Sequence, residues 1–350
     1  MLRAMLVVSL LAWTVLSGCA QRDILWPELE AKYANAQSRY AEFPGGLHVH
    51  YRDEGNSAGP AIVLVHGFAA SLQAWEPWVA RLGGDYRIIS LDLPGHGLTR
   101  APEGYVASTD GNVAIVDELT RRLGAERFVL GGNSMGGAVA WNYALQHPDR
   151  LRGLVLVDSA GWPSHRKGGA GPPAIFRLLG NPAGRTILKS FDPTPLAKRG
   201  LRSAYVDERL VTPALVARYT DFARAPGHKD ILLTMQNRPR APVSAQTFAT
   251  LRLPTLVLVG EADRVIPPAQ SRSLAAAIPG AKLIAYPGVG HVPMEQIPDR
   301  SAADVAAFLR GLATRPEPRS PSAALARARH NSTPALAHPT RKCATERLDG

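Results

Sequence analysis

Gly132-Asn133-Ser134-Met135-Gly136 fits the pattern G-x-S-x-G, which sets one serine hydroxyl among small residues. Ser134 is therefore the candidate nucleophile. A serine hydroxyl attacks a carbonyl only when a base takes its proton, so the pattern gains meaning only if a base and a group to orient that base can be found. Of the ten histidines, His291 in Gly288-Val289-Gly290-His291-Val292-Pro293 is best placed, after a strand-like run and before a helical one. The third group must hold the other imidazole nitrogen and stabilise the cation that forms. Asp263, in Gly260-Glu261-Ala262-Asp263-Arg264, follows another strand-like run and is the first candidate. Asp158 ends a further such run and is the alternative acid.

These residues need a scaffold that brings strand ends together. Continuous apolar runs at residues 61–65, 87–91, 128–130, 153–157, 255–259 and 282–286 suit strands buried on both faces, and residues 47–52 alternate as a half-exposed strand. Between them, Leu72, Trp75, Val79 and Leu82 recur at helical spacing, as do Val113, Val116, Leu119 and Leu123, with Gly124 as a stop. Residues 135–145, 270–278 and 302–312 complete the helical set. The alternation predicts an α/β fold with a mostly parallel, doubly wound sheet. Residues 45–161 and 246–314 form the two parts of this core. Residues 162–245 break the rhythm with Pro and Gly and with short amphipathic pieces such as 174–179 and 215–222, so they read as an inserted helical cap over the carboxyl edge of the sheet.

Ser134 lies where the strand ending at Leu130 turns into the helix opening at Met135. A sharp turn of this kind needs glycines so that strand and helix can pass closely. With His66-Gly67-Phe68 after an early strand, Asp92-Leu93-Pro94-Gly95-His96-Gly97 after the next, and the aspartate and histidine loops in the order Ser, Asp, His, residues 45–312 resemble the α/β-hydrolase superfamily. That resemblance implies the α/β-hydrolase fold and an oxyanion hole made by the backbone amides of Phe68 and Met135. It also implies that His66, Asp92 and His96 chiefly shape the loops beside the site, and that the acid sits at Asp158 in some relatives. Glu261 reads as a surface capping or pairing residue, and His147, His165 and His228 as solvated.

The implied activity is hydrolysis of carboxylic esters of small molecules or lipids through an acyl-enzyme, with no cofactor and no metal. Alternatives with the same machinery are a carbon–carbon hydrolase of ring-cleavage products, which the elbow Gly-Asn-Ser-Met-Gly-Gly also resembles, and a cofactor-free haloperoxidase. Epoxide hydrolases and dehalogenases of this fold use an elbow aspartate, which Ser134 replaces. A non-catalytic binding protein would be expected to lack a triad or oxyanion residue, and none is missing.

Composition places the protein in its setting. The net charge is +11, but the excess is concentrated: residues 162–240 carry 14 Lys and Arg against 5 Asp and Glu, and residues from 315 on carry 7 against 3. No basic stripe with interleaved aromatics appears, so nucleic acid is not an expected partner; basic contacts to anionic lipid could coexist with catalysis. Two cysteines, Cys19 and Cys343, give neither a zinc motif nor a disulfide framework. Arg3 and the apolar run from Ala4 to Leu16 read as a signal peptide over residues 1–18, too short for a permanent span. Leu16-Ser17-Gly18-Cys19 resembles a bacterial lipobox, which implies acylation of Cys19 and a membrane-anchored lipoprotein, on the outer membrane facing the periplasm if the source is Gram-negative. Residues 19–44 read as a tether or short leading helix, and residues 315–350, rich in Pro, Ala, Ser and Arg without periodicity, as a disordered tail.

Overall fold

A computed structural model describes residues 22–163, 192–235 and 243–314. Cys19 with the signal segment, the amphipathic piece at 174–179, His165 and the tail from 315 lie outside the described residues. Eight strands form one sheet in the order β1-β2-β4-β3-β5-β6-β7-β8. They are β1 (Ser38–Phe43), β2 (Leu47–Gly55), β3 (Ala61–Val65), β4 (Arg87–Leu91), β5 (Phe128–Asn133), β6 (Leu151–Val157), β7 (Thr255–Gly260) and β8 (Lys282–Tyr286). β1 and β2 pair antiparallel, as do β2 and β4; the remaining pairs are parallel.

The continuous apolar runs exist because both faces are covered. Along β3, Val63 and Val65 enter one core while Ile62 and Leu64 enter the other. The same division holds in β6, with Leu154 and Leu156 on the first face and Val155 and Val157 on the second. Helices α3 (Thr109–Arg122), α4 (Met135–Gln146) and α9 (Pro268–Ala277) supply the first core. Helices α2 (Glu76–Leu82), α10 (Pro293–Gln296) and α11 (Pro298–Ala313) supply the second, with Met294, Val305, Phe308 and Leu309 joined by the fully buried Trp78 and by Trp75 just before α2. Ser108 caps α3 by accepting from the Gly111 amide at 3.0 Å.

The sheet begins earlier than residue 45. The sequence Ser-Arg-Tyr-Ala-Glu-Phe is polar because β1 is an edge strand, and it pairs with β2 from Ser38 opposite Arg52 to Phe43 opposite Leu47. The preceding segment, read as a tether or short leading helix, carries helix α1 (Trp26–Tyr33). Leu29 is buried there, and the Ile24 amide donates to the Arg224 carbonyl at 2.9 Å.

Between β6 and β7 the described part of the insertion holds α5 (Thr194–Tyr205), α6 (Pro213–Ala223), α7 (His228–Met235) and α8 (Ala245–Ala249). His228, expected to be solvated, is buried. Its ring nitrogens face the carbonyls of Phe222 at 2.8 Å and Thr99 at 2.9 Å, which ties α7 to the loop after β4, and burial pushes the imidazole below its ordinary pKa.

Strand order reverses at β3: β4 lies on one side of it and β5 on the other. In open α/β sheets ligands bind outside the carboxyl ends of the strands at such a switch point. The loops that leave β3 and β5 here are those carrying His66-Gly67-Phe68 and Ser134.

Candidate active site

Ser134 sits between the end of β5 and the first residue of α4, with φ 54° and ψ −115°. A non-glycine residue held at positive φ is strained, and the surroundings over-determine it. Its amide donates to the Val157 carbonyl at 3.0 Å, and its carbonyl accepts from Ala138 at 3.1 Å and from Ala160 at 2.9 Å. The glycines leave no room for side chains: a Cβ on Gly132 would lie 2.2 Å from the Gly136 carbonyl oxygen, and one on Gly136 would lie 2.1 Å from that of Val65. The strand end and helix start are thus in backbone contact, and the first-turn amides of α4, which have no intrahelical partner, open beside the serine.

His291 and Asp263 meet directly. The imidazole Nδ1 and the Asp263 Oδ2 are 2.7 Å apart, and both residues are buried. Asp263 Oδ1 accepts from the amides of Val265 at 2.6 Å and Ile266 at 3.0 Å, so the carboxylate is clamped by its own loop. With Oδ2 accepting from Nδ1–H, the proton is fixed on that nitrogen and Nε2 is left as the basic one. Asn133 joins this pair to the elbow: its amide group donates to the His291 carbonyl at 2.9 Å and to the Val157 carbonyl at 3.2 Å.

Asp158 is fully buried and held at φ 42°. Its carboxyl accepts from the Gly260 amide at 3.0 Å. An oxygen of Asp158, an oxygen of Asp263 and a ring nitrogen of His291 lie within 4.8 Å of one another. Burial first, and then the neighbouring Asp263 charge, push the Asp158 carboxyl well above the ordinary carboxylate range.

The loop with Phe68 runs past the nucleophile, since the Cβ position on Gly67 is 3.3 Å from the Ser134 Cβ. Phe68 is exposed and its ring meets His96 edge-on at 6.0 Å. Beneath it, Asp92 accepts from the amides of Leu72 at 2.7 Å and Leu98 at 2.9 Å and from His50 Nδ1 at 2.7 Å. Burial raises this carboxyl, but the His50 bond and the adjacent imidazoles outweigh it and hold it below its usual range. His66 accepts from the Leu93 amide at 3.0 Å through Nε2, and burial depresses both His66 and His96. These side chains shape loops. Glu261 pairs with Arg272 at the surface.

Sequence reasoning missed how the insertion grips the histidine loop. The His291 amide donates to the Ala204 carbonyl at 2.7 Å, at the end of α5. Gln296 accepts from the Gly290 amide at 2.8 Å and donates to the Tyr205 carbonyl. Glu295 accepts from the Tyr205 hydroxyl at 2.6 Å and from Arg218 of α6 at 2.7 Å. The chain leaves α5 through Val206 at φ 60° and ψ −50°, a strained geometry for a β-branched residue, closed by Asp207 donating to the Tyr205 carbonyl at 2.5 Å. Main-chain anchors leave no residue-type signal, whereas Asn133 was visible as the variable position of the elbow.

A family model described as the alpha/beta hydrolase fold matches residues 60–296. Lipase 1 of Psychrobacter immobilis is 30% identical over 270 residues, 74% of this chain and 79% of that protein. The 2-hydroxy-6-oxo-2,4-heptadienoate hydrolase of Pseudomonas putida is 29% identical over 273 residues, 75% of this chain and 93% of that protein. Among solved structures, an esterase from Thermogutta terrifontis superposes with a TM-score of 0.65 at 27% identity, covering 79% of this chain and 99% of that one.

Proposed function

On the premise that the chain belongs to the alpha/beta hydrolase family, we propose that it is a serine hydrolase cleaving carboxylic esters through an acyl-enzyme on Ser134. The observation that carries the reading is the 2.7 Å contact of His291 with Asp263, joined through Asn133 to a serine strained at a helix N-terminus.

In the proposed cycle His291 Nε2 takes the hydroxyl proton of Ser134 as the oxygen attacks the ester carbonyl. The amides of Phe68 and Met135 hold the oxyanion, and Asp263 stabilises the imidazolium. His291 then protonates the departing alcohol, and a water that it deprotonates releases the acid and regenerates the serine. The similarity to a lipase and to an esterase structure supports an ester substrate. The similarity to a hydrolase of a 2-hydroxy-6-oxo dienoate supports carbon–carbon cleavage as the second reading.

A series of chromogenic esters of increasing acyl length, assayed beside Ser134→Ala, tests the proposal. Turnover by the native protein and its loss in the variant are expected. Undiminished turnover in the variant would exclude Ser134, while native protein inert to every ester but active on a ring-cleavage dienoate would favour the second reading. The lipobox-like Leu16-Ser17-Gly18-Cys19 further supports acylation of Cys19 and retention at a membrane of an exported protein. Cys19→Ser should release the protein into the soluble fraction, and its full retention would defeat the anchor.

A further inference from the structure

The two residues competing in the sequence for the role of acid, Asp158 and Asp263, end adjacent parallel strands and turn into the same buried space. Their donors are unequal. Asp263 takes two amides on Oδ1 and the imidazole on Oδ2, an acceptor-only role that suits a carboxylate. Asp158 takes the single Gly260 amide, its oxygens 3.0 and 3.3 Å from that nitrogen. Two carboxyls this close and shielded from water do not both hold a negative charge. A carboxylate has about four acceptor sites and Asp263 has filled three, so one is left for another donor.

We propose that Asp158 carries the proton of a carboxyl–carboxylate pair and donates it as a hydrogen bond to Asp263, acting as a positioning residue for the carboxylate that orients His291. It is neither the ionised acid of the relay nor a bystander. The strained φ of 42° is what swings its carboxyl from the end of β6 toward the end of β7. Burial and the Asp263 charge both favour the protonated form, in keeping with this role. The other titratable groups facing Asp158 are His291 and, at longer range, Tyr286, whose hydroxyl is engaged by Asp304 at 2.8 Å.

The inference rests on the triad assignment above, and its test has one readout that needs no ester turnover. The low-field proton resonance of the His291 Nδ1–H, identified by its absence in His291→Asn, reports how strongly Asp263 accepts. Asp158→Asn supplies a neutral donor of the same shape. It should leave the resonance in place and kcat within about threefold of native, since the hydrogen-bond pattern is kept. Asp158→Leu fills the space but cannot donate. It should move the resonance downfield, lower kcat about tenfold at unchanged KM, and shift the acid limb of the kcat/KM profile up by about half a pH unit.

Two outcomes overturn the proposal. One is a loss in Asp158→Asn approaching the ~10⁴-fold of a triad acid made neutral. The other is an Asp158→Leu protein with native resonance and native kcat. If Asp158→Leu fails to fold, Asp158→Asn decides alone: an unmoved resonance supports the proposal, and a shifted or lost one refutes it. Native protein with the resonance but no ester turnover would count against ester hydrolysis and leave the Asp158 result standing.

Discussion

Asn133→Ala asks whether the elbow and the histidine loop act as one unit. The side chain lost here donates to the carbonyls of His291 at 2.9 Å and Val157 at 3.2 Å. The Val157 carbonyl keeps the Ser134 amide as a donor, so its share of the loss is that of an ordinary hydrogen bond, about 1 kcal/mol. The His291 carbonyl keeps no other donor among the described residues, and an unsatisfied buried acceptor costs about 1–3 kcal/mol. The total, about 2–4 kcal/mol, corresponds to a fall of about 3–7 °C in melting temperature for a folded body of this size. The catalytic cost is separate. His291 is anchored through its amide to Ala204 and through its carbonyl to Asn133; with one anchor gone, a ring displacement of ~1 Å costs up to ~10²-fold. A 10- to 100-fold drop in kcat at nearly constant KM is therefore expected, on the order of the misplacement penalty. Steady-state kinetics on a short-chain chromogenic ester, run well below the variant's melting temperature, measures it. Native kcat in Asn133→Ala, or a loss fully explained by unfolded protein, would refute the reasoning.

Arg218→Met leaves Glu295 with only the Tyr205 hydroxyl among the described residues, in a largely buried pair, and should cost about 3 kcal/mol in urea denaturation, part of which Glu295→Gln in the same chain restores. Acid should act on stability first through the buried histidines. Burial lowers His66, His96 and His228, so the unfolded chain binds more protons below its histidine pKa near 6.5 and stability falls with pH from there. Asp158 works the other way in the native protein, because its carboxyl holds a proton in the folded state that the unfolded chain lacks above its ordinary carboxyl pKa, so the fall is read in Asp158→Asn: denaturant titration should show stability dropping between pH 7 and 5.5, and a flat profile would contradict it. Asp92, held below its usual range, adds a loss only at much lower pH.

The parts of the fold legible in the sequence are those where burial leaves a pattern. β3, β6 and β7 read as continuous apolar runs because helices cover both faces, and the elbow read as such because its glycines are required by backbone contact. β1 was invisible: at the sheet edge, Ser38–Phe43 meets water along much of its length, and the contacts that join it to β2 beyond the backbone ladder, such as Ser38 with His50 at 2.9 Å and the Tyr40 ring against that of His50, leave no apolar pattern. His228 misled for the related reason that its partners are two carbonyls, from Phe222 and Thr99, which any residue can supply. Both Asp158 and Asp263 could be placed at strand ends, but which of them faces His291 Nδ1 depends on the Val265 and Ile266 amides that aim Asp263, a loop geometry with no residue-type signature.

The insertion is joined to the chemistry as well as placed beside it. The Ala204 carbonyl holds the His291 amide, the Tyr205 carbonyl holds Gln296, and Gln296 in turn holds the Gly290 amide. The end of α5 thus supports the loop of the base from both sides of the histidine. The approach is too close for a side chain, since a Cβ on Gly290 would lie 2.1 Å from the Ala204 carbonyl oxygen. Val206 then turns the chain sharply away at a strained φ, which fixes where α5 ends relative to His291. In a protein whose insertion only shaped the pocket, changes there would alter KM and leave kcat alone. Here a shift of α5 moves the anchor of the imidazole as well, so substitutions around Ala204 to Val206 should change kcat even when substrate binding is unaffected.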